Sequence, residues 1–299
     1  MTTLAALRAQ LDATEKSLAA LESQMTSLRT QKEQLSEDLR NYRYPVLTLP
    51  NEITVEIFLH VVSGRQGYPF TSRPHPYYSL LRLVSVCQTW RAVTLSTCAL
   101  WNEGVDVNCN RVRDAGKLLE TCLPRAGSLP LDLRICFSAD GVPSVDTIIS
   151  TLSVYGLQWR RVNLSSIRHK TILFFPTDRI PSSLPLLESL TLSNFKFPRV
   201  KDTSVSFLRH APQLRELCLF DLAVSIAQLL AVLLHTPDLE CLKFTTSTEV
   251  THAPLSILLP RLHTFVCSYD LSPMILQYLT LPALEELQLI DLSDEASIK

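Results

Sequence analysis

Eight cysteines (87, 98, 109, 122, 136, 218, 241 and 267) and seven histidines (60, 75, 169, 210, 235, 252 and 263) are the side chains best able to ligate a metal or attack a substrate. Their spacing supports neither. No Cys-x-x-Cys pair occurs and no two histidines stand at ligand spacing, so a tetrahedral zinc site lacks its donors. The cysteines sit mostly among apolar neighbours, which predicts buried free thiols in a reducing compartment, the cytoplasm or nucleus, and no disulfide framework. His210 and His235 occupy equivalent places before Ala-Pro and Thr-Pro, a position suited to a helix C-terminus rather than to ligation. Seven glycines are present, none after Gly156, and no phosphate-cradling loop or G-x-S-x-G elbow can be built from them. The expectation is a chain without catalytic centre, metal or cofactor.

The elements that carry these residues must therefore act by binding. Of 299 residues, 46% are hydrophobic, enough for a sizeable core, and the net charge of -1 is spread evenly along the chain. That distribution lacks the basic footprint of a nucleic-acid binder. Arg160, Arg161, Arg168, His169 and Lys170 form the densest basic spot and read as a solvated face. No run of 18 apolar residues and no secretion signal is present, so no membrane partner is expected, and the sequon Asn163-Leu164-Ser165 carries no weight.

Residues 1–44 alternate apolar positions by three and four: Leu4, Leu7, Leu11, Leu18, Leu21, Met25, Leu28, Leu35 and Leu39, with Thr14, Lys32 and Tyr42 completing the seam. A narrow stripe of period 3.5 sustained over more than five heptads predicts a coiled-coil helix, which Pro45 ends. Lys32 at a seam position weakens the pairing and sets register or strand number. Three partners are open: a second copy, another protein's helix, or the chain's own domain.

Residues 45–101 change character. Leu49-Pro50 opens a short helix in which Ile53, Ile57 and Phe58 recur at helical spacing, with Glu52 and Glu56 toward water. Ser63 to Pro76 holds two glycines and three prolines and predicts no regular structure. A second helix begins near Leu80. A third runs from Val86 to Leu95, with Val86, Trp90 and Val93 on one face and Arg91 toward water. So small a helical module is marginal alone, and an exposed apolar face on it predicts a docking surface.

Leu49-Pro50-Asn51-Glu52-Ile53, Cys87-Gln-Thr-Trp90 and the terminal Leu100-Trp101 together resemble the F-box, the module that docks onto the Skp adaptor of cullin-based ubiquitin ligases. Tyr44-Pro45-Val46-Leu47-Thr48-Leu49-Pro50-Asn51-Glu52-Ile53 is similar to the start of fungal F-box proteins that begin with a coiled coil. The resemblance implies that Leu49, Pro50, Ile53 and Ile57 pack against the adaptor. Val84, Cys87 and Trp90 join either the docking face or the core behind it. A three-helix cap without a partner is the other reading of this module.

From residue 130 the chain repeats. Pro185-Leu-Leu-Glu-Ser-Leu190-Thr-Leu192 recurs from Pro212, Pro237, Pro260 and Pro282, at intervals of 27, 25, 23 and 22 residues. Period and core match leucine-rich repeats, each a strand with a returning helix or turn. Val205–Leu208 and Ile226–Leu234 read as returning helices, Pro130–Ile135 and Trp159–Leu164 as earlier strands, and Arg113–Leu123 as a helix before them. Alternation turns Thr191, Cys218, Lys243 and Gln288 outward, toward a target or simply toward water. The last unit ends at Leu292 without a polar cap, which predicts either an incomplete sequence or a partner over an apolar edge.

The predicted fold is mixed α/β, in four parts. These are a coiled-coil helix (1–44), an F-box-like module (45–101), a connecting helix (102–129) and a leucine-rich-repeat solenoid (130–299). The predicted function is the substrate-recruiting, non-catalytic subunit of a Skp–cullin–F-box ubiquitin ligase. Its partners would be a Skp-type adaptor and through it a cullin, an unknown protein target, and a second copy through residues 1–44. The alternative is a coiled-coil scaffold whose repeats tether proteins without any ubiquitin role.

Overall fold

The computed structural model describes residues 3–42, 45–63, 76–102, 105–110, 112, 114–137, 144–166, 173–195, 206–222, 224, 226–245, 256–268 and 275–290. They divide into two compact units, Met1–Pro50 and Asn51–Lys299. The insert 64–75, Arg113, Arg168, His169, Lys170, Val205, His252 and Leu292, all invoked above, lie outside the described residues.

The first unit is almost entirely α1 (Leu4–Asn41), 38 residues and so roughly 57 Å long. It ends at Asn41 rather than at residue 44, with Tyr42 already extended. A short 3-10 turn, Pro45–Thr48, follows, closed by the Thr48 hydroxyl donating to the Pro45 carbonyl at 2.7 Å. No residue of α1 is buried. The seam leucines lie open to solvent, from Leu7 at 53% to Leu39 at 74%.

The second unit opens with four helices, α2 (Asn51–Ser63), α3 (Pro76–Val86), α4 (Gln88–Ser96) and α5 (Ala99–Asn102). Val86 and Trp90 do not share a helix as the spacing predicted. Val86 closes α3, and Cys87 breaks the chain into an extended conformation, its sulfur accepting the Trp90 amide at 3.4 Å as the N-cap of α4. A thiol in place of the usual hydroxyl or carboxylate still satisfies an orphan donor of the first turn.

Eight parallel strands follow in chain order: β1 (Val105–Asn108), β2 (Leu131–Phe137), β3 (Trp159–Ser166), β4 (Ser189–Ser193), β5 (Glu216–Phe220), β6 (Cys241–Thr245), β8 (Thr264–Ser268) and β10 (Glu286–Ile290). β7 (Ile257–Leu258) and β9 (Leu279–Thr280) form a separate parallel pair. The return legs include α6 (Ala115–Cys122), α7 (Val145–Ser153) and α8 (Ile226–Leu233), with the 3-10 turn Ser206–His210. The segment 102–129 is thus more than a connecting helix. Val105 and Val107 alternate inward as β1 and pair with β2, so the sheet begins one strand earlier than the proline repeats show.

The recurring proline has a local reason. The amides of Leu187, Leu214, Leu239, Leu262 and Leu284 each donate three residues back, to the carbonyls of Leu184, Ala211, Thr236, Leu259 and Leu281, at 3.2 to 3.5 Å. Each proline is the second residue of such a turn, where its fixed φ fits and its missing N–H costs nothing. The turn delivers the next leucine into the core, and Leu187, Leu214, Leu239 and Leu262 are all buried. After the strand the chain turns again at Asn194 (φ 60) and Asp221 (φ 52), residue types that tolerate the left-handed region. Their amides donate to the next strand's end, to Phe220 at 3.0 Å and Thr245 at 2.8 Å. Inside, Leu190, Leu192, Leu217, Leu219, Leu242, Phe244, Phe265 and Cys267 are buried. β10 departs from this rule, with Leu287 and Leu289 exposed at 47% and 43%. Among the described residues no single helix is long and apolar enough to cross a membrane.

Candidate functional site

Helix α2 carries two apolar stripes, and its own core uses one. Thr54, Phe58 and Val62, four residues apart, are buried, while Ile53, Ile57 and Val61 point to solvent at 49, 42 and 38% exposure. The buried side is anchored by Phe58, which meets the Trp90 ring edge-on with centroids 4.9 Å apart, an arrangement the ring quadrupoles favour. Trp90 is half-buried and packs against the core behind α2. Val84 and Cys87 are also half-buried. Leu49 and Pro50 are exposed at the end of the first unit.

The spacing that picked out Ile53 and Ile57 extends one turn further to Val61, which sequence reading missed although the i+4 step was available. Leu81 and Val86 of α3 are exposed apolar residues as well, missed because nothing local distinguishes them from core leucines. The module is fastened to the sheet from behind. The Trp101 indole donates to the Thr94 carbonyl at 2.8 Å, Arg125 lies 5.4 Å over the Trp101 ring, and the Asn102 amide reaches the Pro130 carbonyl at 3.3 Å. Arg91 turns back as well as outward, donating to the Val84 carbonyl at 3.0 Å.

A second surface lies on the open face of the sheet. Strand register places Asp106, Arg134, Asn163, Thr191, Cys218, Lys243, Val266 and Gln288 in one row across all eight strands. The four residues expected to face outward, Thr191, Cys218, Lys243 and Gln288, therefore belong to a single line, interrupted by a buried Val266. At the β1–β3 end the face is ionic. Arg160 clamps Asp132 with both carboxylate oxygens at 2.8 Å, and Arg134 lies 3.8 Å from Asp106.

Toward the middle it is a thiol pair. Cys218 and Cys241 stand on adjacent strands of the same face, and the Cys218 thiol donates to Cys241, which raises its own pKa further above the ordinary thiol value, with burial adding to the rise. The same hydrogen bond, with Lys243 nearby, outweighs partial burial and lowers Cys241 to about 7. Burial pushes Cys109 up to about 12 and Cys122 and Cys267 to about 11, so these are inert thiols. All eight cysteines are free, and Cys98, contrary to the general expectation of burial, is exposed. Strand alternation around Leu217 and Leu242 could have found the thiol pair, since it turns 216, 218, 241 and 243 outward together. Among the described residues no cluster of three or more His, Cys, Asp or Glu side chains is placed to hold a metal ion.

Residues 46–104 match the family described as F-box-like. No curated protein matches the chain. The matched segment takes in all but the first residue of the 3-10 turn and α2 to α5, so the exposed stripe Ile53, Ile57 and Val61 belongs to an F-box-like domain, which points to adaptor binding in ubiquitin ligases of the Skp–cullin–F-box type.

Proposed function

We propose that this chain is the non-catalytic receptor subunit of such a ligase, working in the cytoplasm or nucleus. Its F-box-like domain docks a Skp-type adaptor, and through it a cullin, with Ile53 and Ile57 at the contact and Leu49 and Pro50 contributing from the preceding turn. The sheet region is a set of leucine-rich repeats that holds a protein target, and the helix α1 joins two copies. The observation that carries this reading is the second apolar stripe of α2, an exposed face inside a matched F-box-like domain whose opposite face already fills the core. The repeat reading is supported by five proline turns of like geometry and by a sheet whose strands add in chain order.

The test is co-purification of the full chain with a Skp-type adaptor, beside an Ile53→Asp/Ile57→Asp variant. Both side chains are on the wet side of α2, so the variant keeps its melting temperature. Burying two isoleucines is worth about 1.5–3 kcal/mol each, so the variant loses roughly a hundredfold or more in adaptor affinity. An unchanged affinity rejects the docking assignment. A second reading, a coiled-coil scaffold with no ubiquitin role, is favoured by the wholly exposed seam of α1. It predicts oligomers that retain no adaptor.

A further inference from the structure

We propose that α1 pairs antiparallel with the same helix of a second copy, in the register that sets Lys32 of one chain beside Thr14 and Glu15 of the other. The inference rests on the self-association proposed above and adds its orientation and its contacts.

The seam holds two residues, Thr14 and Lys32, that belong poorly in an apolar layer, and they lie at equal distances from Ser23, the midpoint of the seam from Leu4 to Tyr42. Turn one copy end for end about that midpoint, and Leu4, Leu7, Leu11, Leu18 and Leu21 face Tyr42, Leu39, Leu35, Leu28 and Met25. Thr14 and Lys32 then face each other. Every apolar seam residue meets an apolar one, and both misfits share a layer that occurs twice by symmetry. In a parallel, in-register pair each Lys32 meets Lys32 of the other copy, and two like charges stand in the seam.

Charge supports the same choice. Lys32 has Leu28, Arg29, Leu35 and Ser36 at the helical distances of three and four, and Glu15 has Leu11, Asp12, Leu18 and Ala19. Neither finds an opposite charge at those distances on its own helix, and among the described residues neither has an ion-pair partner. In the antiparallel register Glu15 flanks the layer that Lys32 enters and pairs with it across the interface, while the parallel arrangement sets uncharged Gln31 beside Lys32. The two Asn41 ends then lie roughly 57 Å apart rather than together.

The experiment uses the full chain, in sedimentation equilibrium of wild type, Lys32→Glu, Glu15→Lys and the double variant. Each single exchange sets like charges at two symmetric contacts and weakens the dimer roughly tenfold, and the double exchange restores it to within about threefold. The two positions are about 25 Å apart along one helix, so rescue cannot arise within a chain. A photo-crosslinking phenylalanine analogue at Leu7, in mixed isotope-labelled chains, captures the segment around Leu39 of the other copy. A monomer at all concentrations overturns the self-association beneath the inference. A dimer whose two exchanges simply add, or whose crosslink joins position 7 to position 7, overturns the antiparallel register and leaves self-association standing.

Discussion

Leucine is patterned with equal regularity in α1 and in the proline-turn repeats, yet the outcomes are opposite. In the repeats Leu190, Leu217 and Leu242 are buried, while every seam leucine of α1 is more than half exposed. The difference lies in where the complementary surface comes from. A strand leucine one repeat away from the next is covered by the neighbouring strand and return leg of the same chain. Within its own unit the narrow stripe of the 38-residue helix stays open along its whole length, so its burial needs a surface that the helix itself does not supply. Helix α2 stands between the cases, one stripe used internally and one left over.

The sharpest way to break this comparison is to truncate one leucine from each region. Leu242→Ala opens a cavity among fully buried neighbours and costs about 2–5 kcal/mol of unfolding free energy, which thermal or urea denaturation reads directly. Leu21→Ala leaves that transition in place and instead raises the dissociation constant of self-association. If Leu21→Ala lowered the melting temperature of the sheet unit as much as Leu242→Ala, the α1 stripe would belong to the fold of that unit and not to self-association.

Next in size is Gly156→Ala. A methyl group at this position runs into the Pro181 ring, a contact between two turns of the return path that only a hydrogen permits. Overpacking of this kind costs about 1–3 kcal/mol, measurable as a lowered Tm, while leaving both self-association and adaptor binding as they were. The smallest effect concerns the open sheet face. Because Cys241 is lowered to about 7 and Cys218 is raised, limited iodoacetamide labels Cys241 before Cys218, with a rate that climbs through pH 7 as the thiolate forms. Cys218→Ala removes the donor and moves that pH midpoint upward. Equal labelling of both thiols would mean that Cys241 is not the thiol of lowered pKa in the pair.

Much of this fold was legible because it repeats. The proline interval placed β4, β5, β6, β8 and β10, and the 3.5-residue period placed α1 to within three residues of its ends. The F-box-like segment was legible through Leu49-Pro50, Cys87-x-x-Trp90 and Leu100-Trp101 taken together. What escaped was non-local. β1 is four residues long and carries no proline turn, and it becomes a strand only by pairing with β2. The break at Cys87 was hidden because the apolar spacing of Val86, Trp90 and Val93 runs straight through it, while an N-cap bond depends on backbone that the spacing does not report.

By itself, then, the order of residues determined which side chains are apolar, at what period, and therefore which local element each segment prefers. Tertiary structure alone decided which apolar faces are spent. It turned Trp90 against Phe58, left Ile53 and Ile57 in water, and set Cys218 beside Cys241, residues 23 positions apart in the chain. The reason is that hydrophobic burial has no direction and no memory of sequence distance. A pattern states how much surface wants covering, and only the packed chain shows which part of it has been covered.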